Sequence, residues 1–303
     1  MRYWLLLLLL TLSTYSNAQR AYILVLGTAQ DGGYPHLGCK KPCCEKAWNN
    51  PSNKRFVVSL ALIDSQSNKW WLFEATPDIK EQLQYFKKIT KGKYHYLPEG
   101  IFITHAHIGH YTGLMQLGRE VMGAKDITVY AMPKMKHYLE NNGPWSQLVA
   151  LHNISIHAIQ NNENIIPVNG ISVTPFIVPH RDEYSETVGF NINTTNKRYL
   201  FIPDIDKWGK WEKNIIEEVK GIDYAFIDAT FYNEAELPGK HMDEVPHPFV
   251  AETMKLFKDE TITTKSKIHF IHINHTNPLL WQRSLQDSIL KQHFNIAIQG
   301  KQY

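Results

Sequence analysis

The stretch "THAHIGHYTGL" (Thr104–Leu114) sets His105, His107 and His110 close together, directly after the apolar run "GIFI" at 100–103. An apolar run that opens into a histidine-rich segment reads as a buried strand delivering side chains to a loop at its end. Neutral imidazoles bind zinc well, and on an extended segment His105 and His107 point to the same side. His110 begins the next turn and can face a second ion. Three histidines at this spacing are a strong metal signal.

Strand-like and helix-like segments flank the loop on both sides. "AYILVLGTA", "FVVSLALID", "KWWLFEA", "ITVYAM", "ISVTPFIVPH", "ETVGFNINT", "KRYLFIPD", "IDYAFIDAT", "SKIHFIHIN" and "FNIAIQG" read as strands. "TPDIKEQLQYFKKI", "TGLMQLGREVM", "PKMKHYLENN", "DKWGKWEKNIIEEVK", "HPFVAETMKLF" and "NPLLWQRSLQDSIL" carry helical spacing. Strands in pairs, each group followed by a helix, predict a layered α/β protein with mixed sheets. Further candidates fall at strand ends: His180 closes "FIVPH", Asp204 closes "YLFIPD" and His272 closes "KIHFIH". "GTAQDGG" (27–33) lacks the lysine and the full glycine pattern of a phosphate loop, so it reads as a tight turn after the first strand.

The chain of 303 residues has a formal net charge of +3, with its basic residues scattered, which does not suggest a nucleic-acid surface. Residues 1–18 pair an early Arg2 with an apolar core and end in Ser16-Asn17-Ala18, the pattern of a secretory signal peptide. Cleavage after Ala18 predicts an exported protein, periplasmic in a bacterium, with no membrane attachment. Residues 19–303 show no composition break and read as one domain. All three cysteines, Cys39, Cys43 and Cys44, lie in one short stretch. One local disulfide with a free thiol is one reading; a zinc site on thiolates is the other.

The ordered set of the histidine loop, His180, Asp204 and His272 resembles the metallo-β-lactamase superfamily. That resemblance implies a four-layer αββα sandwich with metals at one edge, between the two sheets. It implies that His105, His107 and His180 hold a first Zn2+ (Mn2+ or Fe being possible in its place). His110 and His272 would hold a second, with Asp204 bridging and Asp206 a nearby substitute. "GTAQDGGYPHLGCKKPCCEKA" and "HINHTNPLL" are similar to a narrower branch. It contains coenzyme PQQ synthesis protein B and the cyclic-phosphate phosphodiesterase of phosphonate breakdown. The branch implies a structural zinc on Cys39, Cys43, Cys44 and His275. It also implies a non-ligand catalytic histidine at His241, with Asp228 orienting it or a metal ligand. The superfamily pattern has an aspartate where this chain has Gly109, so the second ion is expected to be held more weakly than the first.

These residues predict metal-assisted hydrolysis, in which zinc lowers the pKa of its water to about 7 and supplies hydroxide at neutral pH. A small, anionic phosphodiester is the first expectation for the substrate; thioesters, lactones and β-lactams stay open. The alternatives are a redox or cofactor-biosynthesis role like that of the PQQ protein, and a metal-stabilised binding protein without turnover.

Overall fold

The computed structural model describes residues 21–239, 241 and 244–303. The signal segment read at residues 1–18 lies outside them. The first sheet contains β1 (Ala21–Gly27), β2 (Ser59–Asp64), β3 (Lys69–Phe73), β4 (Gly100–Phe102), β5 (Ile127–Ala131) and β6 (Ile154–Ala158), in that spatial order. β1, β2 and β3 pair antiparallel, and β3 to β6 run parallel. The second sheet contains β7 (Ile165–Val168), β8 (Ile171–Ile177), β9 (Val188–Asn193), β10 (Arg198–Ile202), β11 (Tyr224–Asp228), β12 (Ile268–Ile271) and β13 (Asn295–Ile296), also in sequence order. It repeats the plan: antiparallel from β7 to β10, parallel from β10 to β13.

The alternation of side chains along each strand builds the layers. In β2, Leu60 and Leu62 face inward to meet Phe190, Ile192 and Phe201 of the second sheet. Ala61 and Ile63 face outward into a second core with Leu83, Phe86, Met135, Leu139 and Leu148. Those residues come from α2 (Ile79–Ile89), α4 (Pro133–Asn141) and α5 (Trp145–Ala150); α1 (Pro42–Asn49) and α3 (Ile108–Tyr111) lie earlier in the chain. The outer face of the second sheet packs Leu200, Ile202, Ile227 and Phe270 against Ile215, Val219, Met254 and Ile289. The helices there are α6 (Ile215–Lys220), α7 (Val250–Leu256) and α9 (Arg283–Lys291), with the short α8 (Ile262–Lys265) beside them in sequence. Three cores separate four layers, which is the αββα sandwich.

Some elements differ from the sequence reading. The helix expected over "TGLMQLGREVM" is a short 3-10 segment, Thr112–Leu117. Gly113 donates its N–H to the Ala75 carbonyl (2.8 Å), and a Cβ there would lie 2.1 Å from the Thr76 carbonyl oxygen. That close approach docks the segment on the loop after β3. The amphipathic stretch at 206–220 is helical only as a turn at Trp208–Lys210 and as α6. Trp211 turns inward to stack on Phe176, and the Asn214 side chain accepts the Ile216 N–H, starting α6 afresh.

Candidate metal centre

The histidine loop leaves β4 and is tied to both sheets. The Thr104 N–H donates to Glu74 Oε2 (3.3 Å), and the Thr104 carbonyl accepts from Val188 at the start of β9 (3.2 Å). The Ala106 N–H donates to Ser185 Oγ (2.8 Å). Each imidazole of the loop then meets a polar group on its far nitrogen, through a hydrogen bond for His105 and His107 and an ion-pair approach for His110. His105 Nδ1 lies 2.9 Å from Thr104 Oγ1, His107 Nε2 lies 3.4 Å from Glu183 Oε2, and His110 Nδ1 lies 3.4 Å from Glu74 Oε1. The helical turn α3 begins just after His107 and brings His110 back into the protein.

His180, Asp204 and His272 arrive from the ends of β8, β10 and β12. The Asp206 N–H donates to the Pro179 carbonyl (2.7 Å), which locks the loops after β8 and β10 together. The Asp206 carboxylate is occupied by Lys210 Nζ at 2.8 Å, so Asp204 is the acid at the centre. Its Oδ2 lies 3.2 Å from His180 Nε2, 3.4 Å from His105 Nε2 and 3.8 Å from His107 Nδ1. It lies 3.9 Å from both His110 Nε2 and His272 Nε2. Ligand atoms around a tetrahedral zinc sit roughly 3.3 Å apart, so these spacings suit shared ions. Burial and the neighbouring His110 hold His105 well below the usual histidine range, in the neutral form a metal needs. Burial opposes the charge on Asp204, but His180, His247 and His272 hold its carboxyl well below the usual range.

The buried atoms at the centre test whether a metal fits. His105 Nε2, His107 Nδ1, His110 Nε2, His180 Nε2, Asp204 Oδ1 and His272 Nε2 have no hydrogen-bond partner in the protein. Buried polar atoms without partners are costly, and here they converge on common points. The donor set is the nitrogen and oxygen chemistry that zinc prefers. Two of the supporting residues adopt left-handed backbone without being glycine: Glu74 at φ 71° and His272 at φ 60°. Strain of this kind collects at functional sites.

Beside Gly109, where the sequence expectation left the second position without a carboxylate, the structure places the side chain of Asp31. Asp31, from the turn after β1, sets its Oδ1 3.2 Å from His110 Nε2 and 3.7 Å from His272 Nε2. Two histidines follow β11 ahead of α7, His241 and His247. His241 is exposed, while His247, on the approach to α7, is buried beside both aspartates. His247 Nδ1 lies 2.9 Å from Asp228 Oδ2 and 3.1 Å from Asp204 Oδ1. Burial disfavours its charge, but Asp228 and then Asp204 raise its pKa to about 10. Asp228 Oδ1 accepts from the Thr230 N–H (2.8 Å) and hydroxyl (2.7 Å), and Thr230 Oγ1 lies 2.9 Å from His272 Nδ1. Asp228 thus orients His247 directly and His272 through Thr230. Glu74, Asp31 and His247 went unread in the sequence; a histidine placed just ahead of a helix start was the one available signal, for His247.

The cysteines are unpaired. Cys39 Sγ, Cys44 Sγ and a His275 ring nitrogen lie within 4.8 Å of one another. Cys43 adjoins both other thiols, so the structure brings the three cysteines of the expected set together, with His275 beside Cys39 and Cys44. His275 Nδ1 is buried without a partner. Burial, His36 and Lys41 push His275 down to about 4, which keeps it neutral and able to bind metal.

The family model for the β-lactamase superfamily domain matches residues 69–273. Coenzyme PQQ synthesis protein B of Methylorubrum populi is 26% identical over 287 residues, 87% of this chain and 92% of that protein. The fold is shared with a zinc-bound PqqB from Methylobacterium extorquens, at a TM-score of 0.73 and 24% identity over 93% of this chain and 99% of that one. It is also shared with a diphosphatase of the PhnP family, at a TM-score of 0.67 and 20% identity over 93% and 96% of the two chains.

Proposed function

The chain belongs to the β-lactamase superfamily, and from that membership we propose that it is an exported, zinc-dependent hydrolase of small anionic esters, with phosphodiesters the first choice. The observation that carries this reading is the convergence of buried, unpartnered imidazole and carboxylate atoms on one edge of the sandwich. His105, His107 and His180 with Asp204 would hold one ion; His110 and His272, sharing Asp204, would hold a second. Zinc in these positions supplies Lewis acidity and a nucleophilic water at neutral pH.

The residues around the ions do the rest. Glu74, Thr104 and Glu183 fix the ring orientations of the histidine loop. Asp228 Oδ2 lies 2.9 Å from His247 Nδ1 and favours the protonated ring, so His247 would give a proton to a leaving oxygen or steady a phosphoryl oxygen. The name of the PhnP-family neighbour, a diphosphatase, supports phosphorus as the attacked atom.

Metal analysis of the purified mature protein, paired with a panel of phosphodiesters, carboxyl esters, lactones and lactams, tests the reading. Hydrolysis of bis(4-nitrophenyl) phosphate or a cyclic phosphate that stops on chelation and returns with zinc is the expected result. A fully metal-loaded protein that turns over none of the panel overturns it. That outcome would favour the second reading, a step in cofactor synthesis such as a redox reaction on a quinone precursor, which the PQQ-synthesis relatives support.

A further inference from the structure

We propose that Asp31 is the carboxylate ligand of the second metal position, supplied from the turn after β1 to a loop that has lost its own. The inference rests on the metallo-hydrolase reading and concerns which residue completes the centre. Asp31 Oδ1 approaches His110 Nε2 to 3.2 Å and His272 Nε2 to 3.7 Å, and the three atoms belong to one candidate metal group. A simple ion pair would align an N–H with the carboxylate. Instead, Asp31 Oδ1, His110 Nε2 and His272 Nε2 are all buried and all without a hydrogen bond. The three atoms stand at ion-pair distance with no well-formed hydrogen bond among them, and they face a shared point, as ligands do.

Gly109 gives the second, independent observation. A Cβ built on it would lie 2.1 Å from Asp31 Oδ1, 2.6 Å from Asp31 Cα and 2.8 Å from Asp31 Cγ. No side chain at 109 can coexist with Asp31 in this place, so the two positions exclude each other. The glycine is therefore what admits the aspartate. The turn that carries Asp31 is fixed by its backbone rather than by the acid. The Gln30 N–H donates to the carbonyl of Ile273 (3.0 Å), next to His272, and the Gly33 N–H donates to the Gln30 carbonyl (2.7 Å). Gly33 takes φ 68°, which closes the turn at no steric cost. With Asp31 in place the second position again has two carboxylates, Asp31 and Asp204, and two imidazoles. The charge deficit that would make it labile is absent.

Cobalt titration of metal-stripped protein, read by competition with a chromophoric chelator, tests this without reference to turnover. The cysteine site is read separately by its sulfur-to-cobalt charge-transfer band. Wild type should fill two active-site positions. Asp31→Ala should keep the first and weaken the second by at least about 100-fold, beyond what loss of an outer-shell partner costs. Asp31→Asn, which preserves shape, should do the same and guards against a folding defect. Gly109→Ala should mimic them by displacing Asp31. The paired change Asp31→Gly with Gly109→Asp should recover the second ion. An Asp31→Ala protein that holds its second ion as tightly as wild type overturns the proposal. A wild type that binds no active-site metal overturns the hydrolase reading itself.

Discussion

His247 and His241 share one loop but not one environment. His247 is buried between Asp228 and Asp204, and His241 is exposed to solvent. We therefore expect His247→Gln to lower kcat by about 10²- to 10⁴-fold, the range of a lost general acid, with metal content unchanged. His241→Gln should leave kcat and KM at wild-type values. Steady-state kinetics with metal analysis on both variants decides; a large loss in the His241 variant would reverse the assignment. At this scale the sequence marked chemistry by residue type. It found His105, His107, His110, His180, Asp204, Asp228 and His272, because histidines and aspartates at strand ends are conspicuous. It missed Glu74 and Asp31, because a lone acid in an apolar or glycine-rich stretch carries no spacing that ties it to a loop far along the chain.

Strand β12 shows what an element imposes on its residues. His269 points toward the inter-sheet side, with its ring 4.8 Å from Tyr303 and 5.6 Å from Phe226. Burial pushes its pKa down to about 4, against the hydrogen bond that its Nδ1–H donates to the Lys267 carbonyl. The folded pKa is depressed, so the unfolded chain takes the proton first. This stability is present above about pH 6.5 and is lost as pH falls to about 4, a change of about 3 kcal/mol. His269→Phe should remove that step from denaturation curves collected across this range; an unaltered acid dependence would place the titrating group elsewhere. The loop after β12 carries His275 to Cys39 and Cys44, joining the end of the chain to the segment before α1. His275→Ala should cost about one zinc equivalent per chain and lower Tm, while the histidine centre keeps its metal. Unchanged zinc content with a disulfide in non-reducing mass analysis would remove the structural ion. Two strands were unread in the sequence. β6 is an edge strand with one buried residue, and β7 is an edge strand interrupted by Pro167, so neither shows a clean apolar pattern.

Across the whole molecule, both sheets are covered on both faces, which is why the central strands read as unbroken apolar runs. Among the described residues no helix is long and apolar enough to cross a membrane. We expect the exported protein to begin at Gln19, since Ser16-Asn17-Ala18 precedes it. Mass analysis of the N-terminus of secreted material checks this, and an intact Met1 on that material would refute it. The sequence by itself determined the layered α/β class, the strand-end placement of the histidines and the order in which they appear. Those features are local: an apolar run makes a strand, and a polar residue after it sits at the strand's end. Only the tertiary structure decided that Asp31 stands where a side chain at 109 would be, and that His247 rather than His241 joins the aspartates. These depend on distances between loops far apart in the chain. Such distances are set by sheet pairing and by the packing of two sheets face to face, and no spacing along one segment records them.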